Sequence, residues 1–449
     1  MNLSIAIANI IIAFAGLYLS LKQHRLGTVV WFLISYFMLW FIPVALTDEI
    51  THIQKFTNGT IKIDQESIGK TLIFILAFNI IFFISDIVFY RMHRASIHIP
   101  IAFKWGERSN ITQCVFILFL LYGTIFYYLS TRNFSYTDYV ENVASWPMVF
   151  MWCASSGICL AALRKKYVIA SLMALPFLYF MIHLKIRSFA LLSIIPLLII
   201  LYLQFSEGQQ SFLKNWRTYA VIIPIFIGLL FGAAYSMNTK QDKARNTSIF
   251  PDAGMPFGCI IITEGIRKDQ ISTGFDALKL YGSNISNPFR RLFGMHTPEI
   301  IDPPVIMAQI FEGFPKNHKT RYHYPVLWYT DAYLAFGLLG LLLAVFWSAV
   351  LNFWERLASY NASTFCILLP VYCWHAYMLV RGAISGAAVP FLYSVYIAAI
   401  VFMTIDYSSL IKRYRRPTSL SPQPESKKSA LFVTATHSNK KLSAPTMPL

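Results

Sequence analysis

Long apolar runs alternate with short polar connections through most of the chain. An α-helix needs roughly 17 to 25 predominantly apolar residues to cross a bilayer, and the runs have this length. They predict an all-α, polytopic integral membrane protein with about eleven transmembrane helices. The expected spans are 2–21, 28–46, 71–90, 111–130, 147–163, 168–183, 188–205, 218–237, 332–350, 364–380 and 388–406.

One long segment of ordinary polar composition, 238–331, interrupts this pattern and contains several arginines and histidines. Long segments of this kind between spans usually bind, gate or react. The predicted organisation is eight helices in 1–237, the long loop in 238–331 and three helices in 332–406. The remaining residues, 407–449, are rich in Ser, Pro and Lys and are expected to form a disordered basic tail.

Composition agrees with the membrane assignment, since 56% of residues are hydrophobic, 16% aromatic and only 13% charged. The formal net charge of +17 lies in clusters at the ends of apolar runs, which favours topology signals over a nucleic-acid surface. Connections on one predicted side, counted up to Arg416, carry sixteen Lys plus Arg, against seven on the other side when the long segment is left out. Because cytoplasmic loops are the basic ones, the N-terminus and the long loop are expected outside and the C-terminus in the cytoplasm.

Two arginines are predicted on the outer face, where arginine is disfavoured. Arg187 lies in a tight turn between two spans, and Arg381 ends a later span. A lone interfacial arginine often only anchors a helix end, and that alternative stays open for Arg187. A guanidinium also presents a planar fork of donors that suits a diphosphate, so the pair is interpreted as a shared anion site.

Further candidates lie in and beside the long segment. Arg290 and Arg291 lie among aromatic residues and are expected to bind the diphosphate-linked sugar. The alternative is that they belong to an amphipathic segment that lies on the membrane surface. His318, His323 and Asp331 are candidate proton acceptors from a hydroxyl, with His323 and Asp331 ranked first as catalytic residues. No HExxH, GxSxG or P-loop motif occurs, and the six cysteines have no metal-ligand spacing. No metal or cofactor is therefore expected.

The segment Tyr329-Thr-Asp-Ala-Tyr-Leu-Ala-Phe-Gly-Leu-Leu-Gly340 enters a helix after the long loop. With an arginine in a tight outer turn and a late outer arginine, it resembles the O-antigen polymerases (Wzy), the polymerases of oligosaccharide repeat units. In that family an acidic residue shortly precedes an aromatic-glycine pair, which corresponds here to Asp331 before Phe336 and Gly337. The resemblance covers most of the chain.

The resemblance implies a metal-independent glycosyltransferase at the outer face of the bacterial inner membrane. It would transfer a growing glycan from undecaprenyl diphosphate to the terminal sugar of a new lipid-linked unit. The expected partners are this lipid-linked oligosaccharide and the bilayer, with a chain-length regulator and a flippase in the same membrane. Trp328, Tyr329 and Tyr333 would stack on sugars, or form an interfacial aromatic belt.

Three other functions stay open on the sequence. An O-antigen ligase, which transfers glycan to lipid A core, has the same general layout. A repeat-unit flippase or other transporter would need ionisable residues buried along a path through several helices. Asp86 is the clearest charge inside a span, which argues against transport. A non-catalytic membrane scaffold would tolerate loss of the outer arginines.

Overall fold

The computed structural model describes residues 2–23, 25–39, 42, 45, 50–54, 60–63, 65–93, 108–132, 145–183, 188–207, 286, 290, 293–296, 327–358, 362–381 and 388–405. These residues are almost entirely helical, which confirms the predicted fold class in its coarse form. The count of eleven spans stays a prediction, since the expected span 218–237 lies outside the described residues.

The helices follow the apolar runs closely. In chain order they are α1 (Asn2–Lys22), α2 (Gly27–Leu39), α3 (Gln65–His93), α4 (Arg108–Thr131), α5 (Ser145–Leu163), α6 (Tyr167–His183), α7 (Ser188–Glu207), α8 (Trp328–Phe336), a 3-10 helix η1 (Gly337–Leu341), α9 (Leu342–Ala358), α10 (Ala362–Arg381) and α11 (Ala388–Ile405).

One element departs from the all-α prediction. Between α2 and α3 the chain forms a small antiparallel hairpin of β1 (Ile50–Gln54) and β2 (Thr60–Ile63). Ile53 pairs with Ile61 and Gln54 with Thr60, and the register shifts between Ile50 and Ile53. The β-branched residues in both short segments favour strand over helix, and neither segment is long enough to suggest a span.

Four of the described helical segments are long and apolar enough to cross a membrane: Asn2–Lys22, Ile68–Met92, Ser109–Thr131 and Gly337–Ala358. Large apolar side chains also cover the outside of the described helices; Ile11 on α1, Ile84 on α3 and Leu118 on α4 are each more than half exposed. A water-soluble domain would bury such residues, whereas a bilayer solvates them. The chain is therefore a membrane-embedded helical protein.

The first two helices pack closely because a glycine faces a tryptophan. A Cβ atom built on Gly16 of α1 would lie 2.3 Å from the Trp31 ring of α2. Trp31 in turn contacts Phe82 and Phe83 of α3, with ring centroids 5.2 and 5.7 Å apart. Because only glycine leaves this space, Gly16 determines where the indole of Trp31 lies.

The segment after the long polar stretch is a broken helix. It begins at Trp328, four residues before the expected start at 332, and α8 stops at Phe336. Gly337 ends it with φ +58°, a backbone conformation that favours glycine. Gly340 then packs against the backbone of α8, since an added Cβ would lie 2.2 Å from the Ala332 carbonyl oxygen. Both glycines of the sequence motif therefore have a structural role.

Candidate functional site

The predicted anion-binding and catalytic residues are described only in part. Arg187, Arg291, His318 and His323 lie outside the described residues. Arg290 is exposed, and its carbonyl accepts a hydrogen bond of 2.8 Å from the Met295 amide. For Asp331 in the first turn of α8 and Arg381 at the end of α10, the structure describes the helical backbone. Their roles stay predictions.

The three aromatic residues predicted to bind sugar pack against α3. Trp328 is 2% exposed and Tyr329 is fully buried. Phe78 contacts both rings at centroid distances of 5.1 Å. Tyr333 is partly buried, with its ring 5.1 Å from that of Phe74. In this structure Trp328 and Tyr329 hold α8 on α3, so Tyr333 is the most accessible of the three, and sugar binding by any of them stays a prediction.

A buried polar network fixes the position of Tyr329. Its hydroxyl donates a hydrogen bond of 2.8 Å to Asn79 Oδ1 on α3. Asn79 Nδ2 donates to Asn9 Oδ1 on α1 at 2.9 Å, and Asn9 Nδ2 donates to the Ile5 and Leu72 carbonyls at 3.1 and 3.3 Å. Because buried polar groups are costly unless they are paired, this chain of bonds fixes the first turn of α8 against α1 and α3.

Helix α10 connects the elements that carry the predicted site. It packs against both α7 and α8. Arg187 directly precedes α7, Asp331 lies on α8, and Arg381 is the last residue of α10. Three elements that are far apart in sequence are thus neighbours in one helical unit.

A second polar cluster lies in the interior, where Arg25 in the α1–α2 turn meets α3. Arg25 Nη1 and Nη2 donate to the two carboxylate oxygens of Asp86, at 3.1 and 2.7 Å. Arg25 is 5% exposed and Asp86 is 6% exposed. The Arg25 guanidinium also lies over the Tyr90 ring, 4.3 Å from its centroid, in the arrangement of a cation–π contact.

Helix α9 completes this cluster. Asn352 Oδ1 accepts a hydrogen bond of 2.8 Å from Arg25 Nη2, and Asn352 Nδ2 donates one of 2.8 Å to Asp86 Oδ1. Glu355 Oε2 accepts a hydrogen bond of 3.3 Å from Arg25 Nη2, and Glu355 Oε1 accepts one of 3.0 Å from the Leu26 amide. From α2, Trp31 Nε1 donates to Asp86 Oδ2 at 2.9 Å. The buried cluster, defined as Arg25, Trp31, Asp86, Asn352 and Glu355, therefore joins the α1–α2 turn to α2, α3 and α9.

The electrostatics of the buried cluster are dominated by its two carboxylates. Burial disfavours the charge of the guanidinium, but Glu355 and Asp86 outweigh this effect and raise the pKa of Arg25 above its ordinary value. The cluster and Tyr372 of α10 line a cavity of about 10 Å³. A volume of roughly 10–15 Å³ holds a single water, so the cavity has no room for a sugar or a diphosphate.

The sequence carries a partial signal for this cluster. Asp86 is a charge inside a predicted span, Arg25 is one of the basic residues that follow the first span, and Glu355 has no sequence feature that distinguishes it. A carboxylate inside a span requires a partner, but the sequence does not show which basic residue supplies it. The structure shows that Asp86 is one of three buried charged residues that lie together, with Arg25 and Glu355.

No protein-family model, curated protein or solved structure matches this chain. The resemblance to the O-antigen polymerases therefore stands on the residues of the segment 329–340 and on Arg187 and Arg381, the two arginines predicted on the outer face.

Proposed function

We propose that this protein polymerises undecaprenyl-diphosphate-linked oligosaccharide repeat units at the outer face of the bacterial inner membrane. The observation that carries the proposal is the packing of α10 against α7 and α8. In the predicted topology α7 runs inward from Arg187 and α10 runs outward to Arg381. With these directions, neighbouring helices would bring both arginines to the same side of the membrane as the start of α8.

The reaction needs only groups that the chain supplies. The acceptor sugar hydroxyl attacks the anomeric carbon of the donor glycan, and the bond between that carbon and the diphosphate oxygen breaks. The diphosphate leaves with the electron pair, while His323 or Asp331 takes the hydroxyl proton. Arg187 and Arg381, with Arg290 and Arg291 from the long segment, would stabilise the developing diphosphate charge. The donor is already activated, so no nucleotide is consumed.

The direct test is a transfer assay with purified protein in liposomes. Lipid-linked repeat units are supplied without nucleotide sugars, and products are separated by length. We expect a ladder of longer glycans with equimolar release of undecaprenyl diphosphate. If the protein stays monodisperse but the glycans are not extended and no undecaprenyl diphosphate is released, the proposal is contradicted.

Deletion of the gene in its host separates the alternatives. A polymerase mutant accumulates lipid carrying single repeat units that have reached the outer face. A ligase mutant accumulates lipid-linked polymer that is not transferred, and a flippase mutant retains lipid-linked units on the cytoplasmic side. The second and third outcomes would each replace the polymerase assignment.

The proposal also requires the predicted orientation. Reporter tags inserted at Gly208 and after Arg416 should report the cytoplasm, and a tag at Gly282 should report the outside, because basic connections are retained in the cytoplasm. Activity of alkaline phosphatase and fluorescence of a cytoplasmic reporter at each position measure this. If the tag at Gly282 reports the cytoplasm, the long segment cannot take part in a reaction at the outer leaflet.

A further inference from the structure

The buried cluster holds more negative than positive charge. Two carboxylates, Asp86 and Glu355, face the single guanidinium of Arg25. All three residues are at most 6% exposed. If both acids were ionised, one net negative charge would be buried in the interior, which is strongly unfavourable. The cluster gains stability by taking up one cation.

The hydrogen bonds differ between the two acids. Asp86 accepts four, namely two from Arg25, one from Trp31 and one from Asn352, and three of them are between 2.7 and 2.9 Å long. Glu355 accepts one from the Leu26 amide at 3.0 Å and a longer one from Arg25 at 3.3 Å. Because hydrogen bonds to a carboxylate favour its charged form, Asp86 is the better-stabilised anion and Glu355 is the acid that takes the cation.

A second observation supports an occupant at this position. Tyr372 of α10 is 1% exposed and lines the same cavity as Glu355. Its hydroxyl has no hydrogen-bond partner among the described residues. The cavity, at about 10 Å³, accepts nothing larger than one water. A proton held on the Glu355 carboxyl group, beside the Tyr372 hydroxyl, is small enough for this cavity.

We propose that the buried cluster is a proton-binding site and that Glu355 carries its proton at neutral pH. Among the residues that the structure describes, the titratable groups beside Glu355 in this cluster are Arg25 from the turn, Asp86 and Tyr90 from α3, and Tyr372 from α10. His375 of α10 packs its ring against Trp354, with centroids 4.6 Å apart. The α2 helix contributes the indole of Trp31, and η1 contains no titratable residue.

The proton has a structural consequence. With Glu355 neutral, Arg25 and Asp86 form a balanced pair, and α9 contacts that pair through Asn352 and Glu355 without an excess charge. Release of the proton leaves two carboxylates competing for one guanidinium. Occupancy of the site is therefore linked to the packing of the α1–α2 turn on α9.

Infrared spectroscopy of the purified full-length protein tests the site. Carboxyl groups exposed to water are ionised at neutral pH, so a carboxylic-acid carbonyl band reports a buried proton. We expect this band in the wild type, its loss in Glu355→Gln and its retention in Glu66→Gln, a control whose side chain is exposed beside Lys70. Glutamine has the shape of protonated glutamate, so the variant is expected to fold.

Further measurements make the result decisive. Glu355→Asp keeps the acid but moves it, so the band should shift in frequency and not disappear. No band in the wild type, or a band unchanged in both Glu355 variants, would overturn the proposal. A band that disappears when Na⁺ replaces K⁺ at constant pH would show that the carboxylates take a metal cation instead. No glycan enters the experiment, so its result leaves the proposed polymerase function untouched.

Discussion

Arg25 and Asp86 are joined by two hydrogen bonds of 3.1 and 2.7 Å, although 61 residues separate them in the chain. Each oxygen of Asp86 also accepts a second bond, from Trp31 and from Asn352. The carboxylate thus connects three helices and a turn. Its loss is expected to affect the whole helical unit.

Replacement of Asp86 by alanine should strongly destabilise the protein. Removal of the carboxylate leaves buried N–H groups of Arg25, Trp31 and Asn352 without their acceptor, and each unsatisfied buried donor costs about 1–3 kcal/mol. Thermal unfolding of the purified protein in detergent measures the change. The control is Glu66→Ala, because Glu66 pairs with Lys70 on the surface at 2.9 Å and exposed pairs contribute little. Equal melting temperatures for the two variants would contradict the structural role of Asp86.

Gly16→Ala should destabilise the contact between α1 and α2. The new methyl group would lie 2.3 Å from the Trp31 ring, and overpacking of this kind costs roughly 1–3 kcal/mol. Gly27→Ala is the matched control, since its methyl group would meet no atom closer than 3.5 Å. The melting temperature should fall for Gly16→Ala and stay near the wild-type value for Gly27→Ala. If both variants melt like the wild type, Trp31 has room to move and is not fixed by this glycine.

Arg187→Ala and Arg381→Ala should each abolish chain extension while protein levels stay normal. Lysine should restore little activity at either position, because a point charge cannot reproduce the donor fork of a guanidinium. The length distribution of the glycan and the released lipid diphosphate are measured in the liposome assay. Arg132→Ala, in another predicted outer connection and exposed, should retain full extension. Full activity of both lysine variants would indicate that the arginines only anchor helix ends.

His323→Ala or Asp331→Ala should slow transfer while leaving donor binding intact. A general base contributes about 10²–10⁴-fold to the rate, and it does not hold the diphosphate. Donor binding is measured separately from the rate of extension under single-turnover conditions. If both variants extend glycan at the wild-type rate, neither is the base, and catalysis depends on stabilisation of the leaving group.

The helices could be predicted because each is a continuous apolar run. The observed α6 at Tyr167–His183 and α11 at Ala388–Ile405 begin and end within one residue of the expected bounds. The break at Gly337 was not predicted, because hydropathy continues unchanged through η1 and only the backbone conformation of glycine ends α8. The hairpin between α2 and α3 was missed because its strands are too short to produce an apolar run.

The candidate site was harder to predict, for a physical reason. Periodicity indicates that a residue lies on a helix, but it carries no information about which other helix that residue contacts. Arg25 and Glu355 are each unremarkable beside the other basic and acidic residues at helix ends. Only the packing of α9 on α3 brings them within 3.3 Å. The burial of Tyr329 was hidden in the same way, because its partner Asn79 lies 250 residues earlier.

The distance in sequence between Arg25 and Glu355 also has a consequence for synthesis and membrane insertion. The two are 330 residues apart, so at about 5–20 residues per second the ribosome supplies Glu355 on the order of tens of seconds after Arg25. Asp86 emerges much earlier and gives the nascent chain an electrically neutral pair before α9 exists. The first three helices can therefore enter the lipid with this pair already balanced, and the second carboxyl group joins it only when α9 packs against them.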